Sequence, residues 1–247
     1  MAKLFTLFDI PIQFLDYEES LTAVITQAKR TPVRIFFVDS YDLVRAQELK
    51  GYKRSLQLAE FCFSAGLPIK LGAKFLGQSA PAHISPAEWV PSLFDRLGKE
   101  GQPPQTLFCL GVPKGCINIL SKIIATRWPR ITLIGCKEAP TAGEDEDSVI
   151  DIIEQKSPSL LLVGSQIHES ERFIYRHWHR LQYAGVRIAI AGHDTLESIS
   201  GSTADAPRFA RSLHLQWLFH PVSFYKRYIK GTFQFILLLI HQKGSQS

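Results

Sequence analysis

From residue 106 onward the chain is organised in blocks of like residues rather than in strict alternation. TLFCLGV (106–112), ITLIG (131–135), LLLVGS (160–165) and VRIAIAG (186–192) are short continuous apolar runs. The stretches between them, near 115–127, 147–156 and 168–184, have helical spacing. A strand with one wet face alternates apolar and polar positions, whereas a strand covered on both faces does not. The four runs therefore predict a parallel sheet with helices on each side, an α/β fold of Rossmann-like type. Upstream, RIFFVDS (34–40) is a further buried strand, followed by a helical stretch carrying Leu43, Leu49, Leu56 and Leu58. The opening MAKLFTLFDIPIQF reads as a strand. Asp9 and Pro11 interrupt the apolar run that a secretory leader would need. Two prolines mark the segment GQSAPAHISPAEW as irregular backbone.

The C-terminal pattern is different. Residues 233–240, FQFILLLI, form an apolar string of eight, against the roughly 20 that a spanning helix requires. A helix begun near Phe224 sets Phe224, Tyr228, Phe235 and Leu239 along one side, with Lys226, Arg227, Lys230 and Gln234 largely on another. Such a helix suits an anionic membrane interface; docking on its own domain is the alternative. The expected division is a domain over 1–221 and a membrane-associating tail over 222–247. Charge sharpens it. The chain carries 28 Lys and Arg against 23 Asp and Glu, a net charge of +5. Six of those cations and no carboxylate lie in 206–247, so the first 205 residues sum to −1. A nucleic-acid partner, which expects cations spread over a broad face, is not indicated.

Ligands of parallel sheets bind beyond the carboxyl ends of the strands. Two segments lie there. LGVPKGC (110–116) places Gly111 and Gly115 where backbone N–H groups could meet an anion at a helix start, although tight turns also use Gly for packing. VGSQIHESER (163–172) joins Gly164 to a helix start bearing Glu169 and Glu171, residues equally at home as dipole partners. GEDEDS (143–148) reads as a solvated helix start. His177 and His179 diverge on a helix, and the four cysteines contain no CxxC pair, so neither a metal nor a cofactor is expected. No GxSxG elbow, P-loop or GxGxxG occurs.

The order of these segments resembles the WecG/TagA/CpsF family of bacterial glycosyltransferases. FDIPIQFLDYEESL is similar to the family's opening strand and helix start. FVDSYDLVRAQ resembles its Thr-x-Asn strand end, LGVPKGC its Gly-rich turn, and LLVGSQIHESERFI its Val-Gly strand with the helix motif that follows. In SGSTADAPRFARSLHLQWLFHPVSFYKR, the residues Gly201, Ala206, Pro207, Leu215, Trp217, Leu218 and Arg227 stand in register with the family's closing segment. The resemblance implies a cytoplasmic enzyme at the inner membrane surface. It implies transfer of a hexosyl group from a UDP-sugar to a polyprenyl-diphosphate-linked glycan acceptor in cell-surface polysaccharide assembly. It further implies inversion without an obligatory metal, an Asp as base, and arginines on the diphosphate. No cofactor is expected, and a homo-oligomer or a glycosyltransferase partner is a separate expectation.

The chain departs from the pattern at the site itself. Ala65, before Gly66, stands where the family has its catalytic Asp, and Asp39 ends the Thr-x-Asn strand. His83, Pro86 and Glu88 replace Arg-x-x-Gly-x-Asp, and Ser170 replaces Gln beside the retained Glu171. Asp205, Gln216 and His220 replace Arg, Glu and Arg. The expected catalytic carboxylates are accordingly Asp39 and then Glu88. The expected substrate-binding residues are Ser40, His83, Gly111, Gly115, Gly164, Glu171, His220, Lys226 and Arg227. A member that has lapsed as a catalyst and binds another glycosyltransferase is the alternative, because the methyl of Ala65 accepts no proton.

Overall fold

A computed structural model describes residues 3–79, 82–99, 101–139, 145–167, 169–202 and 231–241. The chain opens on a hairpin, β1 (Lys3–Leu7) and β2 (Ile10–Phe14), rather than one strand. Phe8 and Asp9 make its two-residue turn with φ of 52° and 66°, the left-handed pair that matches strand twist. The helix α1 (Tyr17–Ala28) starts on a capping box between Asp16 and Glu19. There follow β3 (Val33–Val38), α2 (Ser40–Glu48), α3 (Lys50–Gln57), β4 (Phe61–Ser64), α4 (Leu67–Phe75) and α5 (Pro86–Leu97). The second half runs β5 (Gln105–Val112), α6 (Ile117–Arg127), β6 (Ile131–Glu138), α7 (Glu146–Lys156), β7 (Leu160–Val163), α8 (Ser170–Arg176), α9 (Trp178–Tyr183), β8 (Ile188–Ala191) and α10 (Thr195–Ser200). A last helix, α11, covers 231–241.

Strands β3 to β8 form one six-stranded sheet in the order β4-β3-β8-β7-β5-β6, every neighbouring pair parallel. All six residues of β3 and all four of β7 and of β8 are buried, as their unalternating sequences require. One face packs on the hairpin with α2, α3, α4, α7, α8 and α11. The other packs on α1, α5, α6 and α10, around the rings of Phe37, Phe63 and Trp89. The α/β expectation holds.

Helix α11 docks on the body. Phe235 and Leu239 are buried, and the Phe235 ring meets Phe8 edge-on with centroids 5.7 Å apart. Gly72 of α4 allows the close approach: a Cβ there would stand 2.9 Å from Leu239 Cδ1 and 3.0 Å from Phe235 Cζ. The side of the tail holding Phe235 and Leu239, which the sequence pattern offers to a membrane, is thus turned onto the protein. Phe224, Lys226, Arg227, Tyr228 and Lys230 lie outside the described residues. Among the described residues no helix is long and apolar enough to cross a membrane.

Candidate active site

Parallel strands deliver the starts of their following helices to one edge of the sheet, and the polar groups of this protein gather there around β3, β4 and β8. Asp39 ends β3 and caps α2, its Oδ1 accepting the Asp42 amide at 3.0 Å while its own amide donates to Asp42 Oδ2 at 3.0 Å. Tyr52 from α3 donates its hydroxyl to Asp42 Oδ1 at 3.1 Å. His193 follows β8; its Nε2 lies 2.7 Å from the Phe37 carbonyl and 3.5 Å from the buried carboxylate of Glu171. Because a carbonyl only accepts, Nε2 carries a proton and donates. His193 also holds a left-handed φ of 47°, a conformation that costs a side chain bearing a Cβ about 1–2 kcal/mol. Glu169, also left-handed at φ 58°, pairs with Arg45 and with Arg172, tying α8 to α2.

Asp39, Asp42 and His193 share a small volume with the Glu171 carboxylate, and their titrations shift in response to burial and to these charges. Burial, then the neighbouring Asp42, pushes the Asp39 carboxyl up to about 7. Burial likewise raises Asp42. At His193, burial opposes the charge, but Glu171, Asp42, the Phe37 carbonyl and Asp39 outweigh it and raise the imidazole to about 9. Near neutral pH the His193 imidazole therefore favours its charged form, and the Asp39 carboxyl keeps its proton more readily than an ordinary aspartate does. Among the described residues no group of three His, Cys, Asp or Glu side chains is arranged to hold a metal ion.

The same edge has unmet hydrogen-bonding capacity. Ser40 Oγ, Ser64 Oγ, Thr195 Oγ1 and Glu197 Oε2 are buried without a partner. Such groups are costly unless a ligand or water completes them. Glu197 Oε1 already accepts from Ser165 Oγ at 2.5 Å and Gln166 Nε2 at 3.2 Å, so its second oxygen is held in place but unused.

The expected residues divide accordingly. Asp39, Ser40 and Glu171 share this cluster with His193. Ile84 N donates to Ser64 O at 2.8 Å, which brings the His83 loop to the end of β4. Glu88 stands exposed in the first turn of α5, its carbonyl accepting from Tyr17. Gly111 and Gly164 pack against each other: a Cβ on Gly164 would come within 2.8 Å of Gly111 O and 2.7 Å of Leu196 Cδ1, and one on Gly111 within 2.8 Å of Ile167 Cγ1. Gly115 has φ 74° and its amide donates to the chain's own Glu138 at 2.9 Å. His220, Lys226 and Arg227 lie outside the described residues. His193, Ser64, Thr195 and Glu197 were not foreseen; the only signal was their place just after an apolar run.

An open parallel sheet whose acids and hydroxyls crowd its carboxyl edge has the layout of an α/β ligand-binding enzyme. Comparison with known proteins makes this specific: the chain belongs to the "Glycosyl transferase WecG/TagA/CpsF family", whose profile matches residues 5–247. It is also similar to the N-acetylglucosaminyldiphosphoundecaprenol N-acetyl-beta-D-mannosaminyltransferase of Bacillus spizizenii, at 24% identity over 216 residues, 85% of this chain and 81% of that protein.

Proposed function

We propose that the protein transfers a hexosyl group from a UDP-sugar to a polyprenyl-diphosphate-linked acceptor, with Asp39 as the base. The observation that carries this reading is the position of Asp39 relative to Ala65. The resemblance puts a catalytic carboxylate at position 65, one residue past β4. On the neighbouring strand, Asp39 Cβ lies 3.5 Å from where a Cβ of Gly66 would stand. A carboxyl group thus occupies the same corner from β3 instead of from β4, poised at about 7, where a base works best near neutral pH.

In the proposed step the acceptor hydroxyl gives its proton to Asp39, and its oxygen bonds to the anomeric carbon from the face opposite the leaving group. The bond from that carbon to the diphosphate oxygen breaks, and UDP leaves with the electron pair. This inverts the anomeric centre without an obligatory metal. The His193 imidazolium supplies fixed positive charge nearby, and Glu197 Oε2 is suited to a ribose hydroxyl, as acids near strand ends are in nucleotide-binding sheets. The relative's name specifies an N-acetylglucosaminyl-diphosphoundecaprenol acceptor, and a lipid-linked glycan of that class is proposed here. With six cations and no carboxylate over 206–247, the C-terminal part is suited to the anionic inner face of the cytoplasmic membrane.

A second reading, a family member that binds a lipid-linked sugar or another glycosyltransferase without catalysis, draws on Ala65 itself. A thermal-shift panel of UDP, GDP and their sugars separates the first question, since a nucleotide at 100 times its Kd stabilises by about 2.7 kcal/mol. Transfer assays then decide catalysis. Response to UDP-sugars with transfer lost in Asp39→Asn supports the enzyme; response without transfer in the unaltered protein supports the second reading.

A further inference from the structure

Among the described residues, strand β6 lies at the edge of the sheet, paired with β5, and its ladder is irregular. Leu107 pairs with Leu133, so an unbroken register would set Gly135 beside Cys109. One extra residue in β6 shifts it: Phe108 pairs with Gly135, and Cys109 with Cys136. Gly135 permits the shift, since a Cβ there would stand 2.5 Å from Phe108 Cε2. A bulge re-aims the side chains that follow it. Cys136 is thereby turned to the same face of the sheet as Leu133 and Cys109, the face that α6 covers.

Register partners on neighbouring strands stand about 4.8 Å apart. That is inside the range of roughly 4.4–6.8 Å between Cα atoms that a disulfide spans. The two side chains already interact, the Cys109 thiol donating to the Cys136 sulfur. That hydrogen bond draws the Cys136 thiol below its ordinary value, against the effect of burial. The same hydrogen bond, with burial, pushes Cys109 well up. Access separates the two further: Cys109 is fully buried, whereas Cys136 is half-buried on the edge strand. A reachable sulfur inclined to ionise, backed by a buried thiol, is the arrangement of an attacking cysteine and its resolving partner. Cys62 has neither property. It lies buried on the opposite face, where burial pushes its thiol up and its Sγ donates to the Leu56 carbonyl at 3.6 Å.

We propose that Cys136 and Cys109 form a reversible oxidation site that reacts with hydroperoxides and closes a disulfide between β5 and β6. In the first step the Cys136 thiolate attacks a peroxide oxygen and the O–O bond breaks. Sulfur is oxidised to the sulfenic acid, and the other oxygen leaves with the electron pair, taking a proton from solvent to become an alcohol or water. In the second step the Cys109 sulfur attacks the Cys136 sulfur and the S–O bond breaks. The hydroxide that departs takes the Cys109 proton and leaves as water. Two equivalents of an external thiol return the pair to its reduced form by exchange. The disulfide fastens the edge strand two residues before Glu138, whose carboxylate holds the Gly115 amide at 2.9 Å. The site stands apart from the acid cluster at β3 and β8 and does not depend on the transfer reaction.

The full, reduced chain is treated with hydrogen peroxide, quenched with iodoacetamide, digested and mapped by mass spectrometry. The expected product is a linked Cys109–Cys136 peptide pair that dithiothreitol reverses. Cys136 should be consumed about tenfold faster than Cys116, which is also half-buried but sits at the start of α6, outside the pair. In Cys109→Ala, Cys136 should stop at the sulfenic acid and be trapped by dimedone. In the linked protein, amide hydrogen exchange over residues 131–138 should slow by about tenfold. Cys136 reacting no faster than Cys116, or pairing with Cys116 instead of Cys109, overturns the proposal. So does oxidation of Cys136 to the sulfinic acid in the unaltered protein without a link. A link that leaves exchange in β6 unchanged overturns the fastening. These decisions rest on the unaltered protein and hold whether or not Cys109→Ala folds.

Discussion

The two ends of the sheet's carboxyl edge handle polar groups in opposite ways. At β5 and β6 the Gly-rich turn resembles an anion cradle, yet its Gly115 amide is taken by Glu138, and Gly111 and Gly164 serve the close approach of two backbones. At β3, β4 and β8 there is no glycine motif, but an acid cluster surrounds His193, and Ser40, Ser64, Thr195 and Glu197 keep buried oxygens without partners. Unmet hydrogen-bonding capacity marks a ligand site more specifically than glycine content does, because glycine also answers purely steric needs.

The sharpest way to break this contrast is Asp39→Asn. It keeps the shape and removes the proton acceptor, so transfer should fall by about 10²-fold or more with the fold intact. Full activity in this variant would take the base away from the β3 corner. Next come two glutamates set against each other. Glu197→Gln should weaken UDP-sugar binding by about 1.5–3 kcal/mol, the range for a hydrogen bond to a charged group, while Glu138→Gln should leave it nearly unchanged. Calorimetric titration giving the reverse order would move the nucleotide to the Gly115 turn.

The glycines test the steric side. Gly164→Ala forces a methyl against Leu196 and the Gly111 carbonyl and should cost about 1–3 kcal/mol in denaturant melts. Gly115→Ala meets open space and should cost only its left-handed backbone, about 1–2 kcal/mol. Equal UDP-sugar affinity in the folded Gly115→Ala protein is expected, since that amide already has a carboxylate partner.

The smallest effect is a pH dependence. His193 is raised from 6.5 to about 9, so its contribution to stability is complete below about pH 6.5 and lost as pH rises through 9. Asp39 is raised as well, from 3.8 to about 7, so ionising it destabilises the fold as pH climbs between those values. His193→Gln should therefore lose more stability at pH 6 than at pH 10. Parallel melting curves for the two proteins across that range would remove His193 from the acid cluster.

The sheet could be read in advance where strands were long or fully buried, as with β3 and the four runs after residue 106. Strand β4 escaped because FCFS continues the spacing of Leu56 and Leu58 and has only four residues. Helices α4 and α5 were hidden by prolines: Pro68 and Pro86 sit in first turns, where a missing amide costs nothing, and Pro91 lies within α5. Of the site, Asp39 was legible as an acid at a strand end. His193 was not, because its partner carbonyl on Phe37 is 156 residues away in sequence and only the finished sheet brings them together.

Strand order also sets a timetable. Among the described residues, the strand between β3 and β7 is β8, residues 188–191, and it is made after every other described strand. During synthesis the first half can pair β3 with β4, and the second can pair β5, β6 and β7, but the two pieces share no ladder until β8 arrives. His193, Thr195 and Glu197 follow within six residues of that strand. Assembly of the sheet and acquisition of its ligand groups are thus one late event. A nascent chain shorter than this has Asp39 but nothing to use it on.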